Sequence, residues 1–201
     1  MLTAQQIIKQ ISATIGKAKV VELTKIICEQ NFALRDLIDL TFHPDKNIAF
    51  RASWILENVL LDDMENYVTD INYLTKRFVD VNYPSCQRHY GNIIMRITSP
   101  KAPQIVKDHI KNIDLNPVIE HLFEWLIDPE VKIAVKSCAA EALFNMIHQY
   151  VWIKEELAEQ LQYLMRDGTA AIQSRGKKLL KALNNKLENS HSEHSEESIE
   201  R

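Results

Sequence analysis

Three nine-residue stretches of the chain share one register. They are Pro44-Asp45-Lys46-Asn47-Ile48-Ala49-Phe50-Arg51-Ala52, Pro129-Glu130-Val131-Lys132-Ile133-Ala134-Val135-Lys136-Ser137 and Gly168-Thr169-Ala170-Ala171-Ile172-Gln173-Ser174-Arg175-Gly176. Each opens on a turn residue, with isoleucine four positions on, a base seven on and a small residue eight on. A weaker copy opens at Pro84, where Arg88 and Gly91 depart from the pattern. The anchors at 44, 84, 129 and 168 are 40, 45 and 39 residues apart. Such a period belongs to stacked helix pairs, in which no unit can bury its apolar face without its neighbours.

The segments around each anchor carry apolar residues at three-then-four spacing, which lines one helical face. In the second helix of each pair the stripes are Ile48, Ala52, Ile55, Leu56 and Val59; Tyr90, Ile93, Ile94 and Ile97; Val131, Val135, Cys138, Ala139, Ala142, Leu143 and Met146; and Ile172, Leu179, Leu180 and Leu183. The first helices read Leu34, Leu37, Ile38 and Thr41; Val68, Ile71, Leu74 and Phe78; Ile119, Leu122, Phe123 and Leu126; and Leu157, Leu161 and Leu164. No useful length alternates with period two. The expected architecture is therefore an all-α superhelix forming a single domain over 1–187. Four pairs span 31–62, 63–99, 116–148 and 152–184, and two helices around Gly16 cap the stack over 1–30. A short extra helix follows Pro103. Asn116-Pro117 and Asp128-Pro129 read as capped helix starts, and Asp167-Gly168 as a left-handed helix stop.

Composition narrows the function. Only four glycines occur and 46% of residues are hydrophobic, yet no run approaches the 18 apolar residues of a membrane span. The first residues lack a basic flank and apolar run, so no signal peptide is expected. Cys28, Cys86 and Cys138 are odd in number and form no C-x-x-C pair, which suits reduced thiols in the cytoplasm. Residues 188–201 carry −4 of the chain's net −3, leaving a nearly neutral body and an acidic tail in which disorder is expected.

The Asp128-Pro129-Glu130-Val131-Lys132 turn resembles that of a HEAT unit. Phe50-Arg51-Ala52-Ser53-Trp54-Ile55-Leu56-Glu57, Phe123-Glu124-Trp125-Leu126-Ile127-Asp128-Pro129 and Arg175-Gly176-Lys177-Lys178 resemble small bacterial HEAT-like, armadillo-type helical-repeat proteins. The likeness covers roughly 30–187. It implies the solenoid fold and leaves activity open, because HEAT units serve as scaffolds, lyases and DNA glycosylases. It also implies that second helices line the concave side, and that a turn acid pairs with the base six positions later. Asp45 with Arg51 and Glu130 with Lys136 have that spacing. Arg175 has Thr169 instead, which makes it the rung expected to be free.

Sorted by helix, the first helices carry about −6 and the second helices about +6. A basic inner face would favour an acidic protein or a nucleic acid. Trp54, three residues beyond Arg51, adds an aromatic of the kind that anchors interfaces, whereas core packing is the default for Trp54, Trp125 and Trp152 alike. Candidate partner-binding residues are thus Arg51, Trp54, Arg88, Arg175, Lys177 and Lys178. A relative of the HEAT-like DNA glycosylases is the alternative, but Asn58 stands where an acid would follow Trp54, and the body lacks a large basic excess. No H-E-x-x-H, glycine-rich phosphate loop or lyase signature occurs, and Glu120, His121 and Glu124 read as a solvated surface turn. The expectation is a non-enzymatic protein-interaction module, with no catalytic, cofactor or metal residues.

Overall fold

In the computed structural model, the described residues are all except 1, 2, 14, 15, 31, 167 and 197–201, with side chains also left aside at 171 and 186–196. Among the described residues the secondary structure is wholly helical. The two N-terminal helices are α1 (Ala4–Ser12) and α2 (Lys17–Glu29). Four pairs follow: α3 (Leu34–Leu40) with α4 (Lys46–Asp62), α5 (Ile71–Phe78) with α6 (Pro84–Ile97), α8 (Asn116–Ile127) with α9 (Ile133–Met146), and α10 (Ile153–Arg166) with α11 (Ala170–Glu196). A 3-10 turn, Val68–Asp70, leads into α5, and the expected short helix is α7 (Gln104–Ile110). The chain forms two compact units, Met1–Ala142 and Leu143–Arg201.

In the N-terminal unit the stripes named above make the core. Ile48, Ala52, Ile55, Leu56 and Val59 of α4 are buried, as are Tyr90, Ile93, Ile94 and Ile97 of α6. The two helices lie side by side, and α3 and α2 also pack on α4. Each fully buried Leu or Ile contributes about 1.5–3 kcal/mol relative to exposure. At the centre Thr41 Oγ1 is joined to Tyr90 Oη at 2.7 Å, while the Thr41 hydroxyl also lies 2.6 Å from the Ile38 carbonyl. Burial raises the Tyr90 phenol well above its usual range, with the Thr41 bond opposing it in part. Gly91 brings α6 close to its neighbours: a Cβ there would stand 3.3 Å from Cys138 Cβ and 3.5 Å from the Trp125 ring.

In the C-terminal unit, Ile153, Leu157 and Leu161 of α10 pack with Leu179 and Leu183 of α11. At Gly176 these two helices come close: a Cβ would lie 2.3 Å from Met165 Sδ, so the flexible Met165 side chain would have to move aside. The small residue eight past the turn is packed in both units, as Ala52 in the first and Gly176 in the second. Gly168 has no left-handed φ; its need is spatial, since a Cβ would sit 2.4 Å from the Leu164 carbonyl. The expected left-handed stop at Gly168 is corrected accordingly, and Asp167 lies outside the described residues. Helix α11 runs to Glu196, while residues 197–201 of the acidic tail lie outside the described residues.

Two capping expectations change. Asn116 lies inside α8, and the side chain that receives its N–H is Asp114, at 3.0 Å. Asp128 ends α8 instead of starting α9; its carboxylate accepts the Glu130 N–H at 2.8 Å, and α9 begins at Ile133. An Asx turn therefore spaces the helices where a direct cap was expected. Asp45 does cap α4, accepting from the N–H groups of Asn47 and Ile48.

That role draws Asp45 away from Arg51, and the expected acid–base tie does not form. Arg51 Nη1 donates to the carbonyls of Ile11, at 2.7 Å, and Ser12, at 2.9 Å, which end α1. Lys136 likewise donates to the Leu126 carbonyl near the end of α8, at 2.9 Å, rather than to Glu130. Both bases meet carbonyls that their own helices leave unpaired, where the helix dipole favours positive charge.

Candidate partner-binding site on the second helices

The seam between α4 and α6 carries a cluster that the repeat register does not demand. On α4, Phe50, Trp54, Glu57 and Leu61 follow at spacings of four, three and four, and all are half-buried. On α6, Ser85 and Arg88 are exposed, His89 and Asn92 half-buried, and Arg96 exposed. Helical periodicity makes each set a stripe along the seam.

Glu57 fastens the two stripes. Its Oε2 lies 2.5 Å from His89 Nδ1, and its Oε1 accepts the Asn92 amide. The Glu57 and His89 side chains are only 19% and 12% exposed, so this pairing answers a semi-buried carboxylate with two donors. The contact with the carboxylate at Nδ1 fixes the orientation of the His89 ring. The imidazole packs nearly parallel to Trp54, with centroids 6.4 Å apart and planes at 20°, and lies 5.4 Å from Phe50. Phe50 and Trp54 are 6.1 Å apart. Asn58, in the place where an acid was sought, donates to the Trp54 carbonyl at 2.7 Å. The result is a rigid three-ring shelf, partly open to solvent, on two packed helices.

The candidates distribute unevenly. Trp54 and Arg88 belong to this seam. Arg51 is half-buried and directed to α1, so the expected outward Arg51–Trp54 pair is not made. Arg175, Lys177 and Lys178 lie on α11 in the other unit. Lys177 and Lys178 are exposed, but Arg175 is half-buried and engaged with a neighbour, so it is not the free rung that the missing acid suggested. Among the tryptophans, Trp125 is core at 3% exposure, whereas Trp152 is 49% exposed. The residues that sequence reasoning missed are Phe50, Glu57, His89 and Asn92. Their signal was the shared spacing of 50-54-57 with 85-89-92 on adjacent helices.

The opposite side of the pairs is neutralised from within. Tyr73 donates to Asp39 at 2.5 Å, Arg35 to Asp70 at 3.1 Å and Arg77 to Asp80 at 2.8 Å. His121, expected in solvent, is largely enclosed: it lies 2.7 Å from Glu124 and packs against the rings of Phe78 and Trp125. A cavity of about 160 Å³ opens between Phe42, Asp80, Asn82, Tyr83 and Cys86. Burial pushes the Cys86 thiol above its ordinary value, which withholds a thiolate nucleophile there. Among the described residues no group of three or more His, Cys, Asp or Glu is placed to hold a metal, and no helix is long and apolar enough to cross a membrane.

Compared with known families, residues 7–183 match the HEAT repeat domain. No curated protein and no solved structure matches the chain.

Proposed function

The chain belongs to the HEAT repeat family, and from that premise we propose that it is a non-enzymatic, cytoplasmic scaffold whose protein partner seats on the second helices of its first two pairs. HEAT repeats commonly mediate protein interactions. The observation that carries the reading is the Phe50–Trp54–His89 shelf, held by Glu57 and left partly open. Aromatic area already fixed in place costs little conformational entropy on binding, which is what an interface anchor requires. The three free cysteines agree with a reducing compartment.

Site-specific photo-crosslinking in the native cell tests this. A benzoylphenylalanine at position 54 should capture a protein that the same group at exposed Asn72 of α5 does not. Capture from 72 with none from 54 would move the docking surface to the first helices.

A further inference from the structure

We propose that the α4–α6 seam receives an acidic amphipathic helix of a partner protein, with Arg88 and Arg96 reading its carboxylates and the Phe50–Trp54 shelf its apolar side. This names the partner class for the docking face proposed above and rests on that reading.

Charge complementarity decides the class. In the N-terminal unit the cations of α4, α6 and α9 are Lys46, Arg51, Arg88, Arg96 and Lys136. Three are committed elsewhere: Arg51 to the end of α1, Lys136 to the Leu126 carbonyl, and Lys46 to the Tyr83 ring at 5.6 Å. Arg88 and Arg96 remain exposed, and among the described residues no carboxylate lies within 4.0 Å of either. The half-buried acid beside them, Glu57, is taken by His89 and Asn92. The seam therefore presents two unanswered positive charges next to an apolar shelf.

Spacing narrows the partner further. Eight residues of α-helix put Arg88 and Arg96 about 12 Å apart along the axis and within an arc of about 80°. Carboxylates seven residues apart on a partner helix lie about 10.5 Å apart on one face, within reach of two flexible arginines. Between them the same face carries apolar residues at helical spacing, which meet Phe50, Trp54 and Leu61. A nucleic-acid duplex fits less well, because two phosphate contacts would give a salt slope of only about −2, too small to hold it near physiological salt.

The test uses the full chain and three probes: a 21-residue helical peptide with two glutamates seven apart flanking leucines, its lysine counterpart, and a 20-base-pair duplex. Binding is followed by calorimetry, with circular dichroism confirming that each variant folds. The acidic peptide should bind best. Arg88→Glu with Arg96→Glu should weaken it at least about tenfold and make the lysine peptide the preferred ligand. An unchanged affinity in that double variant, or a duplex that outcompetes the acidic peptide, overturns the inference. In the crosslinking experiment, a partner captured at position 54 through a basic segment overturns the acidic class and leaves the docking face standing. No capture at 54 overturns the face itself.

Discussion

Arg51 reaches across 40 residues of chain to the Ile11 carbonyl, donating through Nη1 at 2.7 Å, while Asp45, six positions before it, caps its own helix. Two charges with the spacing of a pair thus serve separate helix ends. Arg51→Met should cost about 1.5–3 kcal/mol, the range for a charge-assisted bond, and Asp45→Ala about 1 kcal/mol. The double variant should be additive within about 0.5 kcal/mol in urea unfolding. A larger coupling would mean that the two residues do pair.

Amide exchange should localise the loss. In Arg51→Met, protection should fall in α1, around the buried Ile7 and Ile11, with little change at Ile93 and Ile94 of α6. Mass-spectrometric exchange on peptides covering 3–13 and 85–98 compares the two.

Glu57→Ala strands the His89 Nδ1 donor and the Asn92 amide together, for a loss of about 1–3 kcal/mol. Glu57→Gln keeps one acceptor and should lose less than Glu57→Ala in the same urea titration. Because His89 packs on Trp54, both variants should also shift tryptophan emission before unfolding begins.

Alkaline stability tests the buried tyrosines. Burial raises Tyr90 far above the ordinary value of 10.0 and Tyr67 to about 12. Above pH 10 the unfolded chain loses these protons while the native chain keeps them. Stability from this source is therefore complete below pH 10 and falls as pH rises beyond it. Lys136, lowered by desolvation, acts in the opposite sense up to 10.5. Tyr90→Phe leaves Lys136 untouched, so its urea midpoint should decline less steeply between pH 10 and 11 than that of the parent.

Gly91→Leu drives a side chain into the space now bounded by Cys138 and Trp125. Overpacking of this kind costs about 1–3 kcal/mol, and thermal unfolding should register it. Gly91→Ala should be nearly neutral, since the gain in helix propensity, about 1 kcal/mol, offsets the tight 3.3 Å contact with Cys138.

The helices and their buried faces were legible because periodicity reports burial directly: Ile48, Ile55, Tyr90 and Ile93 are core as their spacing required. The bases at the seventh position were legible as structural, but their partners were not. The resemblance to HEAT units implied Asp45 for Arg51, whereas the Ile11 carbonyl comes from a helix folded alongside. The same limit hid the seam cluster. Glu57 and His89 are 32 residues apart, and neither position stands out until α4 and α6 lie together. His121 was misread because its own helix showed only acids beside it, while Phe78 encloses it from another.

The Arg51 bond also bears on how freely these repeats can be cut and joined. A row of interchangeable units tolerates loss of an end unit, since each junction resembles the next. Here the first pair is keyed to the N-terminal helix by a donor that, among the described residues, bonds the two carbonyls at that helix's end. Trimming the chain ahead of Lys17 would leave a half-buried guanidinium without its carbonyls, so the N-terminal helix behaves as part of the first repeat and the two should be transplanted together.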